Sequence, residues 1–550
     1  MFIRTKKRGE RTYLMIVENR RINGKVTQEV LHHLGRLDIL QKSGKLDALL
    51  NSLGRFSQNL TVIGAHARGE SITTQTTRIG PPLIFERLWK ELGIDQVLKE
   101  ELSHRKFEFN VERAVFLTVL HRLFDPGSDR AAEKWKKNYA LTGAKVLSLH
   151  HLYRAMAWLG TPLSSKEQSW ATPFTPRCVK DQIEENFFSF RQDLFSGLEI
   201  VFFDTTSIYF EGEGDRLGKN GHSKDHRPDL KQMVVGIVLD NQGHPICSEM
   251  WPGNTTDVKT LIPIVQRLQN KFGVCNMCIV ADRGMISKET IAEMEQRNWG
   301  YILGVRMRQS KEAQQMIDEA EDRYEEVYPK SSNRKAPSPL KVQERVVNGH
   351  RYIMCLNTDQ ATKDRQDREA ILSSLREALK RGDKSLIGNK GYRRYVQTSR
   401  GHFSLDENKI KEEERYDGKW ILSTNGKKTA REVALQYKQL WLVEDVIRSM
   451  KSVLETRPIY HQNDETIRGH VFCSFLALVL RKELQDRLES KGYHLEWADI
   501  INDLDELLEM EITVQKKGYC IRSEAKGTVG KVSQVCGVAL PPVLRPCPKN

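Results

Sequence analysis

Apolar and polar positions change their rhythm several times along the chain, and each rhythm predicts a different kind of element. Thr12–Glu18 and the run after Lys25 are short, β-branched and mostly apolar, and Ile22-Asn-Gly24 between them offers the positive φ angles of a tight turn, so residues 1 to about 65 read as a β-hairpin module. From about 80 to 190 the apolar residues recur every three or four positions, in Leu83–Leu92, Val111–Phe124, Leu152–Trp158 and Lys180–Phe195, which predicts helices with one buried face. That bundle is as suited to binding DNA as to bracing a core. Glu199–Phe210, Met233–Leu239 and Ile246–Trp251 are continuous apolar runs separated by polar loops, and they predict three successive buried strands. Asn254-Thr-Thr-Asp257 then reads as the cap of a helix reaching about Lys271. A strand Met277–Asp282, a helix from Ser287 to Arg297 and a strand Tyr301–Val305 follow.

This βββαβαβ succession is the element order of an RNase H-like core, and it spans 195–306. Residues 307–420 break it with a charged helix, Lys363–Arg381, and strand-like pieces at Leu340–Val347, Arg351–Leu356, Tyr392–Thr398 and Trp420–Ser423; the segment reads as an α+β insertion domain. The helical rhythm returns in 421–490, the second part of the core. Residues 491–550 read as a tail with an acidic amphipathic helix, Trp497–Glu509, and a hairpin turning at Lys517-Gly518.

Within these runs, isolated carboxylates stand out. Asp204 interrupts an apolar strand and Asp282 ends another. A buried strand carries an unpaired acid only at a cost, although a cap on the turn at Thr205-Thr206 explains Asp204 equally well. In the helix Thr429–Lys451, Tyr437, Leu440, Glu444, Arg448 and Lys451 follow at spacings of three or four and so share one face. The loop Gly221–Gln232 holds two histidines and two aspartates; a polar loop beside a DNA site accounts for it better than a metal site does.

Composition narrows the partner. The 550 residues carry a formal net charge of +14, which favours an anionic partner, and Arg4, Lys6, Lys7, Arg8, Arg11, Arg20 and Arg21 crowd the first module as a solvated face or a DNA-contacting arm. The longest apolar run, Val471–Leu480, is about half of the ~20 residues a membrane span needs, and the N-terminus lacks the apolar core of a secretory signal. The nine scattered cysteines fit free thiols in a reducing compartment, and Cys275-Asn-Met-Cys278 lacks the second ligand pair of a zinc site. A cytoplasmic protein is expected, and basicity alone does not separate nucleic acid from an anionic membrane as its partner.

Taken together, Asp204-Thr-Thr, Asp282-Arg-Gly, Tyr437-x₂-Leu440-x₃-Glu444-x₆-Lys451, Gly253-Asn-Thr-Thr-Asp257 and Arg457-Pro-Ile-Tyr-His461 resemble the DDE insertion-sequence transposases, in the branch with an insertion before the third acid. The resemblance covers about 195 to 490. It implies a DNA transposase working on nucleoid DNA that binds the terminal inverted repeats of its element, cuts there and joins the freed 3′-hydroxyls to target DNA, with a homodimer pairing the two ends. Asp204, Asp282 and Glu444 would be the catalytic and metal-binding acids. Three converging acids suit two Mg²⁺ ions, with Mn²⁺ as a substitute, Asp204 bridging both ions, Asp282 binding one and Glu444 the other. Tyr437, Arg448 and Lys451 would position the DNA phosphate. The branch commonly has Arg where this chain has Leu440, so that contact is lacking or comes from Arg448. A nuclease of the same fold without strand transfer, and a DNA-binding regulator without catalysis, are the alternatives.

Overall fold

The computed structural model describes residues 1–22, 25–54, 73–103, 105–170, 176–191, 198–274, 277–319, 323–328, 339–382, 392–399, 402–514 and 517–547. Two compact units emerge, one from Met1–Ile84, Lys137–Ala140 and Tyr493–Asn550, the other from Phe85–Lys136 and Leu141–Gly492.

In the first unit, strands Phe2–Arg8, Arg11–Ile22 and Lys25–Arg36 form an antiparallel sheet. Ile22 pairs with Lys25, and the expected Asn-Gly turn between them lies outside the described residues. The C-terminal hairpin is displaced from expectation. Lys517 and Gly518 lie on a strand, Lys517–Arg522, that pairs with Leu508–Val514 from Val514↔Lys517 onward, and residues 515–516 lie outside the described residues. The acidic helix stops at Asp505, because Leu508–Val514 is a strand recruited by Thr73–Arg78 through an antiparallel pairing that no local rhythm encodes.

The second unit is built on one nine-stranded sheet. Its strands are β1 (Ile200–Tyr209), β2 (Gln232–Asp240), β3 (Pro245–Pro252), β4 (Cys278–Ala281), β5 (Gly300–Gly304), β6 (Glu325–Val327), β7 (Leu340–Val347), β8 (His350–Asn357) and β9 (Lys419–Thr424), in the order β6-β7-β8-β9-β5-β4-β1-β2-β3. β1, β2 and β3 run antiparallel, while β4 is parallel to β1 and β5 is parallel to β4. The unbroken apolar runs in β1 and β2 are buried along nearly their whole length, as strands covered on both faces must be. Beyond β5 the sheet continues: β9 pairs with β5 through Leu422↔Gly304, and β8, β7 and β6 follow, so residues 325–424 contribute four strands to the same sheet.

Helices α1 (Val179–Phe190), α2 (Val258–Phe272) and α3 (Lys288–Gln296) accompany the first five strands. Leu261, Ile264 and Leu268 of α2 pack with Val201, Phe203, Val238, Trp251, Ile279 and Tyr301 in the main core. Beneath them lies a buried charge network. Arg267 of α2 reaches Glu184 of α1 and Glu249 of β3, each at 2.9 Å, and Lys180 pairs with Asp181. Buried charges persist only when so partnered, and here they tie the helix preceding β1 to the sheet. Cys278 on β4 is a free thiol pushed up to about 11 by burial, and Cys275 lies outside the described residues.

A second charged contact fixes the turn between β2 and β3 against the long helix α6 (Asp464–Ser490): His244 bonds Asp240 at 2.7 Å and Asp486 at 2.8 Å. Burial works against the imidazolium, but the two carboxylates prevail and raise His244 to about 9 from 6.5. The resulting stabilisation, on the order of 3 kcal/mol, is complete below about pH 6.5 and lost as pH rises through 9. Chemical denaturation should therefore show the stability gap between wild type and His244→Gln shrinking from pH 6.5 to 9.5. A gap independent of pH would refute this account.

Candidate active site

The register of two parallel neighbours sets the site. Phe203 of β1 lies opposite Ala281 of β4, the last pair of that ladder, so Asp204, the next residue of β1, stands beside Asp282, the residue that directly follows β4. Neighbouring strands lie about 4.8 Å apart. Asp204 accepts the N–H of Thr205 at 2.7 Å. Burial pushes its carboxyl up to about 6; Lys224 and the Thr205 N–H oppose the rise, and the charges of Asp282 and Asp257 add to it. Two of the three expected acids thus come together.

A further acid joins them. The expectation that Asp257 caps α2 through its side chain is corrected: it makes no capping hydrogen bond, and its Oδ1 accepts the Thr205 hydroxyl at 2.7 Å while Oδ2 lies 3.3 Å from the Lys224 ammonium. Lys224 also donates to the Thr205 carbonyl at 2.8 Å and hydroxyl at 3.0 Å. Sequence reading missed both residues. In sequence, a helix-start Asp looks the same whether it bonds its own helix or a neighbouring strand; the available signal was that Asp257 follows β3 and so starts from the sheet. Thr206, Ser207, Lys224, Asp257, Gly284 and Arg306 help line a cleft of about 220 Å³ here.

The third-acid helix differs from expectation. Rather than one helix from Thr429 to Lys451, there are two, α4 (Ala430–Lys438) and α5 (Trp441–Arg448), followed by a wide π turn at Ser449–Val453. Between them the backbone tightens: Gln439, Leu440, Leu442 and Val443 each donate to the carbonyl three residues back. A tight turn advances side chains by 120° per residue instead of 100°, and the π turn does the opposite, so Tyr437, Glu444 and Lys451 do not share a simple helical face. Tyr437 bonds Asp282 at 3.3 Å, and its phenol is raised by burial and by that carboxylate. Glu444 lies on α5, which packs against β1 and β2, with its side chain exposed. Among the described residues no hydrogen bond or ion pair joins it to Asp204 or Asp282, and no three metal-capable side chains are gathered closely enough to hold an ion. Arg448 is 71% exposed and pairs with Asp445, whereas Leu440 is buried. Lys451 bonds Asp225 at 2.8 Å. In the loop read for its histidines and aspartates, Asp225 and Asp229 are paired with cations, Asp229 with Arg227.

A model of the transposase DDE domain matches residues 195–480, more than half of the chain, and a model of the IS1634 family transposase N-terminal domain matches residues 3–66. The chain belongs to the DDE transposase family. Its core is accordingly RNase H-like, with the order β3-β2-β1-β4-β5 running inward from the β3 edge of the sheet. Among solved structures, a Mos1 transposase paired-end complex with left transposon end is 16% identical over 36% of this chain, at a TM-score of 0.14; the match spans 60% of that neighbour. No curated protein matches the chain. Among the described residues, no helix is long and apolar enough to cross a membrane.

The contact between Tyr437 and Asp282 depends on the absence of a side chain at Gly304. A Cβ there would stand 2.5 Å from the tyrosine hydroxyl and 3.1 Å from the Arg283 nitrogen. Gly304→Ala should destabilise the protein by about 1–3 kcal/mol through this overlap. Adding Tyr437→Phe removes the struck oxygen, so thermal melts of the double variant should recover most of the loss. Simply additive losses would count against this geometry.

Proposed function

We propose that the protein is a transposase that binds the terminal inverted repeats of an insertion sequence, cuts DNA there and joins the freed 3′-hydroxyls to target DNA, as a homodimer pairing the two ends. The observation supporting this most strongly is the pair Asp204, on β1, and Asp282, directly after the parallel neighbour β4, in a chain of the DDE transposase family.

The pair suits Mg²⁺, with Mn²⁺ as a substitute. Both donors are hard oxygens, Mg²⁺ needs only one or two protein carboxylates because it keeps several waters, and the burial that raises Asp204 would be offset by a cation. Asp204 and Asp282 would hold the metal, with Glu444 brought in from α5 as the third acid. When bound, two such ions activate the attacking water or 3′-hydroxyl and neutralise charge on the phosphodiester.

The chain's own groups have separate tasks. Tyr437 donates to Asp282 and fixes the direction of that carboxylate. Asp257, held by Thr205, keeps the Lys224 ammonium at the edge of the cleft, where it offsets the field of the acids. Tyr437 and Lys451 position the phosphate of the element end. The net charge of +14 adds attraction to DNA that is independent of sequence.

Purified protein with Mg²⁺ and end-containing duplex should yield cut ends and joined products. Asp204→Ala, Asp282→Ala and Glu444→Ala should each lower the cutting rate by about 10²–10³-fold while retaining binding in metal-free buffer. Full activity in one of them would remove that residue from the triad, and cutting without joining would favour a nuclease.

A further inference from the structure

Asp225 belongs to the loop between β1 and β2 that also carries Lys224. Its side chain is only 3% exposed, and two cations converge on one of its oxygens: Lys451 at 2.8 Å and Arg457 in a shorter contact. Its other oxygen is buried without a hydrogen-bond partner, so the carboxylate is committed to this pair. Two like charges so close repel one another unless an anion lies between them. One carboxylate serving two cations also leaves the cluster with one uncompensated positive charge.

That charge is accessible through Arg457. Lys451 is 10% exposed and Arg457 is 30% exposed, with Asp225 as its only side-chain hydrogen-bond partner among the described residues. A guanidinium has five N–H donors in a planar fork that fits a phosphate. The cluster also has a defined neighbour. Lys224, next in the chain to Asp225, bonds Thr205 and pairs with Asp257, so the loop dipeptide Lys224-Asp225 joins the acidic cleft to the cationic pair. Arg448, the other candidate for a phosphate contact, instead pairs with Asp445 in solvent.

We propose that Arg457 contacts a backbone phosphate of the DNA end beside the cut site, and that Asp225 is the positioning residue that holds Arg457 and Lys451 together for it. The inference rests on the transposase reading for the identity of the DNA. It assigns the guanidinium to a residue beyond α5, where helical spacing from Tyr437 does not reach.

The test is fluorescence anisotropy of an end-containing duplex, without divalent ions, across a series of salt concentrations. Arg457→Ala should weaken binding about tenfold and reduce the slope of log affinity against log salt by about one, the signature of a lost phosphate contact. Arg457→Lys, which keeps the charge and loses the fork, should restore the slope and part of the affinity. Asp225→Asn keeps the shape of the side chain and removes the charge holding the pair. It should weaken binding and flatten the slope at temperatures well below its melting point, a readout that general destabilisation would not move. An unchanged slope in Arg457→Ala, or a loss in Arg448→Ala alone, would overturn the assignment of Arg457. Tighter binding by Asp225→Asn would make Asp225 a competitor of the phosphate and overturn its positioning role. Because the binding assay does not depend on cutting, the two readings can fail separately: wild-type protein that binds with the Arg457-dependent slope but, in a parallel assay with Mg²⁺, never cuts refutes the transposase reading alone.

Discussion

The site depends on the parallel ladder between β1 and β4. Its last pair, Phe203↔Ala281, is followed by an aspartate on either side, Asp204 still within β1 and Asp282 just past the end of β4. Side chains alternate between the faces of a strand, so a slip of one residue would send one carboxylate to the α2 side, into space filled by Leu261 and Ile264. The register is thus enforced by the core rather than by the acids, which repel each other. The energy opposing that repulsion comes from Val201, Phe203, Ile279 and Ala281, all buried beside the site. The network of Lys180, Asp181, Glu184, Glu249 and Arg267 holds the preceding helix to the same face.

Charge is organised with equal economy around that ladder. The acidic side, Asp204, Asp257 and Asp282, is met by the ammonium of Lys224; the basic side, Lys451 and Arg457, is met by the carboxylate of Asp225. Consecutive residues of one loop therefore serve the two opposite fields. A loop bearing both signs can lie against either region without leaving a buried charge unpartnered, which a loop of a single sign could not do.

The sequence made much of the fold legible and less of the site. The strands of the order β3-β2-β1-β4-β5 are visible because each is an apolar run bounded by turn residues, and the two aspartates are visible because Asp204 interrupts such a run and Asp282 ends one. The pairing of β9 with β5 is not visible: antiparallel partners more than a hundred residues apart leave no local trace. The break at Gln439-Leu440 is equally silent, since both residues are good helix formers and neither Pro nor Gly marks the spot. The sequence does place Lys451 in a cationic motif, but its pairing with a loop far upstream is a tertiary fact. Asp257 was seen and misread, because a cap and a cleft residue share one sequence signature.

The continuation of the sheet answers how a helix so far along the chain reaches Asp282. Helix α4 packs against β4 and β5, and also against β7 and β8. It therefore lies across strands contributed by both stretches of chain, on a single surface whose strand spacing is fixed by hydrogen bonding. Were residues 325–424 a body hung from a flexible stalk, the position of Tyr437 would inherit the freedom of that stalk, and a 3.3 Å contact with Asp282 would have to be held by the tyrosine alone. As strands of the same sheet, these residues measure the distance instead: β9 against β5 and β8 against β9 give α4 its bed. The absence of a side chain at Gly304, the residue of β5 that pairs with Leu422 of β9, then leaves room for the phenol to reach the carboxylate. The segment that interrupts the sequence of the core is, in three dimensions, what carries α4 and its Tyr437 to Asp282.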